Sequence, residues 1–96
     1  TVPIQVLRIA DVELLALPGE PLVEVGQEWT QRTGSDRAFV VGLANAHHRY
    51  LPLLRHFEMS DASVQYDTVT AGLEPTAVDR LLDEAASMLE LVRAGI

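Results

Sequence analysis

Two short segments carry the side chains best suited to chemistry. The first is Leu17-Pro18-Gly19-Glu20-Pro21, in which two prolines and a glycine surround a single carboxylate directly after an apolar run. A fixed backbone suits a metal ligand or an acid–base group, because such a group must be held within a fraction of an ångström. The alternative is that Glu20 is a capping or first-turn acid that the dipole of the following helix favours. The sequence leaves both interpretations open.

The second segment is Asn45-Ala46-His47-His48-Arg49-Tyr50, which also follows an apolar run. Imidazole is the commonest metal ligand in proteins, so the adjacent His47 and His48 could bind an ion. Neighbouring residues of an extended chain point in opposite directions, which argues against both rings holding the same ion. His56 stands apart from them in the sequence. The alternative for all three histidines is a surface position or an ordinary hydrogen-bonded side chain.

No further catalytic pattern is present in the sequence. It contains no G-x-S-x-G elbow, no phosphate-binding loop and no H-E-x-x-H pair. Tyr50 and Tyr66 could each be a core residue whose hydroxyl group is hydrogen-bonded. Motifs alone therefore demonstrate no activity.

The composition limits the class of protein. The chain of 96 residues has no internal repeat or linker, so we treat residues 1–96 as a single unit. Its 48% hydrophobic and 22% charged residues are typical of a packed domain. Seven arginines, no lysine and 14 acidic residues give a net charge of −7, which argues against a nucleic-acid partner. No run is long and apolar enough for a membrane-spanning helix, and without cysteine neither disulfides nor thiolate zinc sites are possible.

Three strands are expected to position the two segments. Ile4 to Ile9 and Val12 to Leu17 are aliphatic runs that flank Ala10-Asp11, and this arrangement predicts a hairpin. Ala38 to Leu43 is an unbroken apolar run, which is the pattern of a strand that is covered on both faces.

Two helices are expected as well. The first has Pro21 in its opening turn and ends at Gly34, and its interior Gly26 would be tolerated if it allowed close approach to a sheet. The second runs from Pro75 to Ala94, and Gly95 closes it. Its apolar stripe has helical spacing and consists of Val78, Leu81, Leu82, Ala85, Leu89 and Val92.

The segment between these elements is long and weakly patterned. Asn45 to Thr70 is expected to be irregular, with one helical turn around Leu53 to Phe57. The predicted order is therefore β-β-α-β-loop-α, a mixed α/β unit that we expect to be part of a larger α/β domain.

These segments, in this order, resemble the neutral/alkaline, non-lysosomal ceramidase family. The shared motifs are the Pro-Gly-Glu turn at 18–20, the strand end from Gly42 to Asn45 that leads to Tyr50, the pair Tyr66-Asp67, and the long helix that follows. The resemblance covers nearly the whole chain. It implies the C-terminal portion of the family's catalytic domain.

The resemblance also implies a site and an activity. The family hydrolyses the amide bond of N-acylsphingosines with one zinc ion, and matching the motifs makes Glu20 and Tyr50 two of its ligands. Tyr50 and Tyr66 would then be catalytic residues, with Tyr66 hydrogen-bonding near the reacting amide. Zinc polarises a carbonyl and activates water, and a tyrosine hydroxyl can stabilise an oxyanion. The other metal ligands of the family, two histidines, would lie upstream of this chain.

Two classes of function follow. The first is a fragment of a zinc-dependent amidase, or of another hydrolase with a glutamate metal ligand, with a lipid amide as a possible substrate and no activity of its own. The second is a non-catalytic interaction or structural domain that associates with itself. The chain opens with Thr1-Val2-Pro3 and no Met, so we expect it to be part of a longer protein. Its partner would be the remainder of the catalytic domain or another copy, and the family resemblance implies a secreted or cell-surface location.

Overall fold

The structure is a computed structural model that describes residues 2–59, 68, 71 and 73–95. Its helices are α1 (Val23–Thr33), α2 (Leu54–Phe57) and α3 (Ala77–Arg93). Its strands are β1 (Gln5–Ile9), β2 (Val12–Ala16), β3 (Glu20–Pro21), β4 (Ala38–Val41) and β5 (Tyr50–Leu51). The predicted mixed α/β class is confirmed.

The strands form two sheets. β1 and β2 are antiparallel with Ile9 opposite Val12, so the predicted hairpin is confirmed. Its turn places Ala10 at a positive φ of 56°, the backbone conformation that a two-residue hairpin turn needs. β4 pairs in parallel with β2, giving the order β1-β2-β4, and β3 pairs in parallel with β5 in a second, two-stranded sheet.

The sequence signals predicted the ends of the two long helices more accurately than the start of α1. Gly34 ends α1 with a left-handed φ of 66°, and its N–H bonds to the carbonyl oxygen of Thr30 at 3.0 Å. Pro21 does not lie in the opening turn of α1, since it belongs to β3 and the helix begins at Val23. α3 falls within the range predicted for it.

The core lies between the three-stranded sheet and the two long helices. One face of the sheet contributes Val6, Leu15 and Ala38, and Trp29 of α1 is fully buried against it. α3 contributes four members of its predicted apolar stripe, namely Val78, Leu82, Ala85 and Leu89. Burial of these side chains is the main force that holds both helices on the sheet.

β4 differs from the prediction. The run Ala38 to Leu43 is predicted to be covered on both faces, but among the described strands β4 lies at the edge of its sheet, and its inner face, with Ala38 and the half-buried Val40, meets the core. Phe39 and Val41 point to the other side and are 52% and 44% exposed. An apolar run does not show whether one or both faces of its strand are covered, because the covering residues are not part of the run itself.

The segment predicted to be irregular is partly ordered. The expected helical turn is confirmed as α2, whereas the short strand β5 just before it was not predicted. Residues 60–67, 69 and 70 of this segment lie outside the described residues. Within the described part of the chain, no helix has the length and apolarity required to cross a membrane.

Gly26 does not serve the close packing expected of it. A Cβ atom added at this residue would meet no atom within 4 Å, so the helix does not need a glycine there. We therefore expect Gly26→Ala to raise the free energy of unfolding by about 0.5–1 kcal/mol, because glycine is a poor residue for a helix interior. Urea denaturation measures the change. Gly19→Ala is the matched comparison and should destabilise, since its Cβ would lie 2.5 Å from the Arg49 carbonyl oxygen; equal effects of the two variants would contradict this account.

Candidate functional site

The structure brings Glu20 and Tyr50 together. They are direct partners in the parallel pair of β3 and β5, and both are half-buried. Because side chains alternate between the two faces of a strand, residues paired across two strands project to the same side. The neighbouring backbones are then about 4.8 Å apart. A carboxylate and a phenol therefore share one side of this ladder.

Backbone hydrogen bonds fix the turn that carries Glu20. The Glu20 N–H donates to the Arg49 carbonyl oxygen at 2.7 Å, and the His48 N–H donates to the Pro18 carbonyl oxygen at 2.5 Å. The Leu43 N–H donates to the Gly19 carbonyl oxygen at 2.7 Å. The segment before Tyr50 thus packs against the Pro-Gly-Glu turn. Because these bonds are made by backbone groups, the backbone position of Glu20 does not depend on what its side chain binds.

Two glycines make this close packing possible. A Cβ atom at Gly19 would lie 2.5 Å from the Arg49 carbonyl oxygen and 2.9 Å from Cγ of Leu51. A Cβ atom at Gly42 would lie 2.9 Å from Cδ of Pro21 and 3.0 Å from the Gly19 carbonyl oxygen. Real Cβ atoms do not approach that closely, so both positions require glycine. Both glycines stand in motifs of the sequence, but no local pattern predicts this role.

Backbone strain is concentrated beside the same turn. Leu43, Asn45 and Arg49 adopt positive φ angles of 54°, 70° and 56°, a region that residues other than glycine rarely occupy. Such conformations cost on the order of 1–3 kcal/mol each and persist only where surrounding contacts impose them. They often cluster at functional sites, so the strain marks this corner of the molecule as a candidate site.

Glu20 does not cap α1. The N-cap residue of that helix is Leu22, and no side chain caps it by a hydrogen bond. The capping alternative for Glu20 is therefore wrong. An interaction with the helix dipole would also be weak, because Glu20 precedes the first turn and the effect falls off within that turn.

The histidines do not form a metal cluster. Nδ1 of His47 accepts a hydrogen bond from the Arg49 N–H at 3.2 Å, and His48 contributes its backbone N–H to the Pro18 contact. His56 is buried, and its Nδ1 accepts from the Leu53 N–H at 2.9 Å, which fixes the start of α2. Among the described residues, no group of three histidine, aspartate or glutamate side chains could hold a metal ion.

The remaining predicted site residue is Tyr66. It lies outside the described residues, so its proposed role near a reacting amide stays a prediction. Glu20 and Tyr50 are thus the two candidate site residues whose relative positions the structure gives.

An ion pair between Glu13 of β2 and Arg93 of α3 was not predicted from the sequence. Glu13 of β2 is 3% exposed, and it accepts hydrogen bonds from Nε and Nη2 of Arg93, each at 2.6 Å. Nη2 of Arg93 also donates to the Thr33 carbonyl oxygen at 3.1 Å, at the end of α1. These contacts and the charges of Arg93 and Arg8 hold the pKa of Glu13 below its ordinary value, although desolvation acts in the opposite direction. The pair joins the sheet, α1 and α3, so its role is structural.

The sequence did contain a signal for this pair. Glu13 is an acid at a core-facing position of an apolar strand, and such a residue needs a cationic or hydrogen-bonding partner. The position of Arg93, 80 residues further along the chain, could not be inferred from local pattern.

Comparisons with protein-family models, with curated proteins and with solved structures found no match to this chain.

Proposed function

We propose that this chain is part of a zinc-dependent amidase that resembles neutral ceramidase, with Glu20 and Tyr50 as two of the metal ligands and a lipid amide as the substrate class. The observation that carries the proposal is the direct pairing of Glu20 with Tyr50 on β3 and β5. The two residues were selected by separate motifs that are 30 positions apart in the sequence. Their adjacency is what a shared ligand role requires.

The surroundings of the pair suit a rigid site. Metal ligands and catalytic groups must be held close to their productive geometry. The turn before Glu20 is fixed by the backbone bonds to Arg49 and His48, and two obligatory glycines allow the segments to touch. The positive φ angles at Leu43, Asn45 and Arg49 lower the stability of the fold, and such strain is typical of functional segments.

The donor set fits part of a zinc site. A catalytic zinc site takes three protein ligands and an open position, and this corner offers one carboxylate and one phenol. Bound zinc would supply polarisation of an amide carbonyl and activation of a water molecule. Glu20 would contribute the negative charge, Tyr50 would hold its oxygen on the same side, and Tyr66 would hydrogen-bond near the amide. The remaining ligands would come from outside this chain.

A second candidate function is a non-catalytic interaction domain. The outer face of the three-stranded sheet favours it, because its side chains are uncharged and several large ones are exposed: Leu7, Ile9, Phe39 and Val41. A contiguous exposed apolar surface on a soluble domain commonly marks an interaction site. This candidate does not account for the arrangement around Glu20.

The test of the amidase proposal uses the longest natural polypeptide that contains this chain. We expect about one zinc ion per polypeptide, by metal analysis of the purified protein, and chelator-sensitive hydrolysis of an N-acylsphingosine. Zinc at that stoichiometry without hydrolysis of this substrate would keep the metal site and reject the substrate class. A protein that neither retains zinc nor cleaves an amide would reject the proposal and leave the interaction domain.

For the 96 residues alone, we expect weak zinc binding and no hydrolysis. Two ligands do not complete a catalytic zinc site, so the dissociation constant should lie above the micromolar range. Calorimetric titration with zinc measures it, and Glu20→Gln should weaken whatever binding remains. Submicromolar, stoichiometric binding would mean that further ligands exist within the chain, and His47, His48 and His56 would be tested first.

A further inference from the structure

His56 occupies a capping position in α2. In a capping box, a glutamate or glutamine at the third helical position accepts a hydrogen bond from the backbone N–H of the N-cap residue. In α2 the N-cap residue is Leu53, and the acceptor is Nδ1 of His56, 2.9 Å from the Leu53 nitrogen. The His56 side chain is 2% exposed, so this bond is shielded from bulk water. A side chain whose type changes charge between about pH 5 and 8 therefore stands where a permanent acceptor is usual.

The bond requires the neutral form of the ring. A backbone N–H can only donate, so Nδ1 of His56 carries no proton and the ring proton lies on Nε2. A protonated imidazole has an N–H on both nitrogens and accepts no hydrogen bond. Protonation would set two donors against each other at Leu53, in a place that lacks water to separate them. The protonated ring and the capped start of α2 therefore exclude each other.

Charged groups of both long helices lie at this end of α2. Nε2 of His56 is 3.7 Å from Oε1 of Glu24 in the first turn of α1, too long for a hydrogen bond but close enough for an ion pair. Asp79 of α3 accepts a hydrogen bond from the Leu54 N–H at 2.8 Å and so holds the next backbone amide. Arg55 of α2 itself is exposed. A protonated His56 would thus lose its bond to Leu53 and gain attraction to the Glu24 carboxylate.

The start of α2 lies close to the strand that carries Tyr50. β5 is Tyr50–Leu51, and Pro52 alone separates it from Leu53. Leu51 and Leu53 are both buried in the core. A movement of Leu53 therefore reaches β5 over two residues of chain.

We propose that His56 is a pH-sensitive helix cap. Its neutral ring closes the start of α2, and protonation moves the ring from Leu53 toward Glu24 and loosens the segment from β5 to α2. The cap is closed above the range in which imidazole titrates and opens as the pH falls through that range. This device does not depend on the proposed amidase activity.

Amide hydrogen exchange of the 96-residue chain tests the cap. The protection factor compares the exchange rate of an amide with that of an unstructured peptide at the same pH. For the Leu53 amide, we expect this factor to fall about tenfold or more between about pH 7.5 and pH 5, as one buried hydrogen bond is lost. The fall should follow the protonation of the His56 ring, which the nitrogen chemical shifts of that ring report. The Leu54 amide should lose less protection, because its acceptor is a carboxylate. An unchanged protection factor of Leu53 down to pH 5 overturns the proposal.

His56→Gln separates capping from titration. Glutamine is a usual acceptor at this helical position and does not titrate, so the protection factor of Leu53 should stay within about twofold over the same pH range. His47→Gln is the matched control, because Nδ1 of the exposed His47 also accepts from a backbone N–H, that of Arg49. This control should keep the wild-type response of Leu53. A wild-type response in His56→Gln would assign the effect to another group and overturn the proposal.

Glu24→Gln tests the partner of the protonated ring and serves also if His56→Gln does not fold. Without the carboxylate, the protonated ring gains no ion pair, so Leu53 should lose its protection at a lower pH than in the wild type. Glu28→Gln, the same change one turn further along α1, is the control and should leave the response unchanged. Loss of protection at the wild-type pH in Glu24→Gln would show that the ring does not move to Glu24 and overturn the proposed device.

Discussion

Arg93→Ala is expected to lower the free energy of unfolding by about 2–3 kcal/mol at neutral pH. The substitution leaves the buried carboxylate of Glu13 without its two short hydrogen bonds and removes the bond to the Thr33 carbonyl oxygen. Breaking a buried ion pair by removing one partner commonly costs about 3–5 kcal/mol. We expect the lower value because Arg93 itself is 41% exposed, so water replaces part of the loss. Urea denaturation measures the difference.

The pH dependence identifies the cause of that loss. The pKa of Glu13 is held below its ordinary value in the folded protein, chiefly by the hydrogen bonds from Arg93. The pair therefore stabilises the fold fully above the pKa of an unfolded glutamate, about 4.3, and this stabilisation is lost as the pH falls through the lower folded value. The difference between wild type and Arg93→Ala should accordingly shrink on acidification from pH 7 to about pH 3.

Arg80→Ala is the matched control for this prediction. Arg80 lies on the same helix, and its ion pair with Glu74 is exposed, with a nitrogen–oxygen distance of 3.2 Å. Exposed pairs contribute at most about 1 kcal/mol, so this variant should change stability little at any pH. If Arg93→Ala behaved like Arg80→Ala, or if its effect were the same at both pH values, the Glu13 pair would not hold the elements together.

Sequence patterns predicted the elements whose determinants are local. The hairpin follows from two aliphatic runs around Ala10-Asp11, and the end of α1 follows from a glycine that can adopt a positive φ. The apolar spacing of α3 selected the residues that the structure buries. In each case, the sequence signal lies within the same continuous segment as the structure it specifies.

Features that depend on distant segments were missed or misjudged. β3 and β5 are two residues each and exist because positions 20 and 50 pair, so neither segment has a strand pattern of its own. The Glu13–Arg93 pair likewise joins the second strand to the last helix turn. The exposure of Phe39 depends on whether another layer covers the sheet, and no run of apolar residues encodes that layer.

The candidate site depends both on local motifs and on contacts between distant segments. Glu20 and Tyr50 were selected by motif, and the motifs said nothing about the distance between them. Their pairing depends on Gly19 and Gly42, which let the segments touch, and on backbone bonds from residues between 43 and 49. This dependence makes the site testable by changes in side-chain chemistry that leave the backbone untouched.

Under the proposed function, Glu20→Gln in the longest natural polypeptide is expected to reduce amidase activity by about 10²-fold or more and to release zinc. The amide keeps the shape of the side chain but lacks the negative charge that a metal requires from a carboxylate ligand, and losses of this order follow the removal of one group that acts on the reacting centre. The fold should persist, because the bond that Glu20 donates to Arg49 comes from the backbone N–H. Tyr50→Phe should act in the same direction but more weakly.

Glu90→Gln, the same change at an exposed acid of α3, is the matched control and should leave activity, zinc content and stability unchanged. The decisive comparison is zinc per polypeptide, measured beside the free energy of unfolding for each variant. If Glu20 acted only on the helix dipole, Glu20→Gln would cost at most about 0.3–1 kcal/mol of stability and leave the metal in place. Full zinc content in Glu20→Gln would remove this residue from the metal site, and the pairing of β3 with β5 would then be a structural feature of the fold.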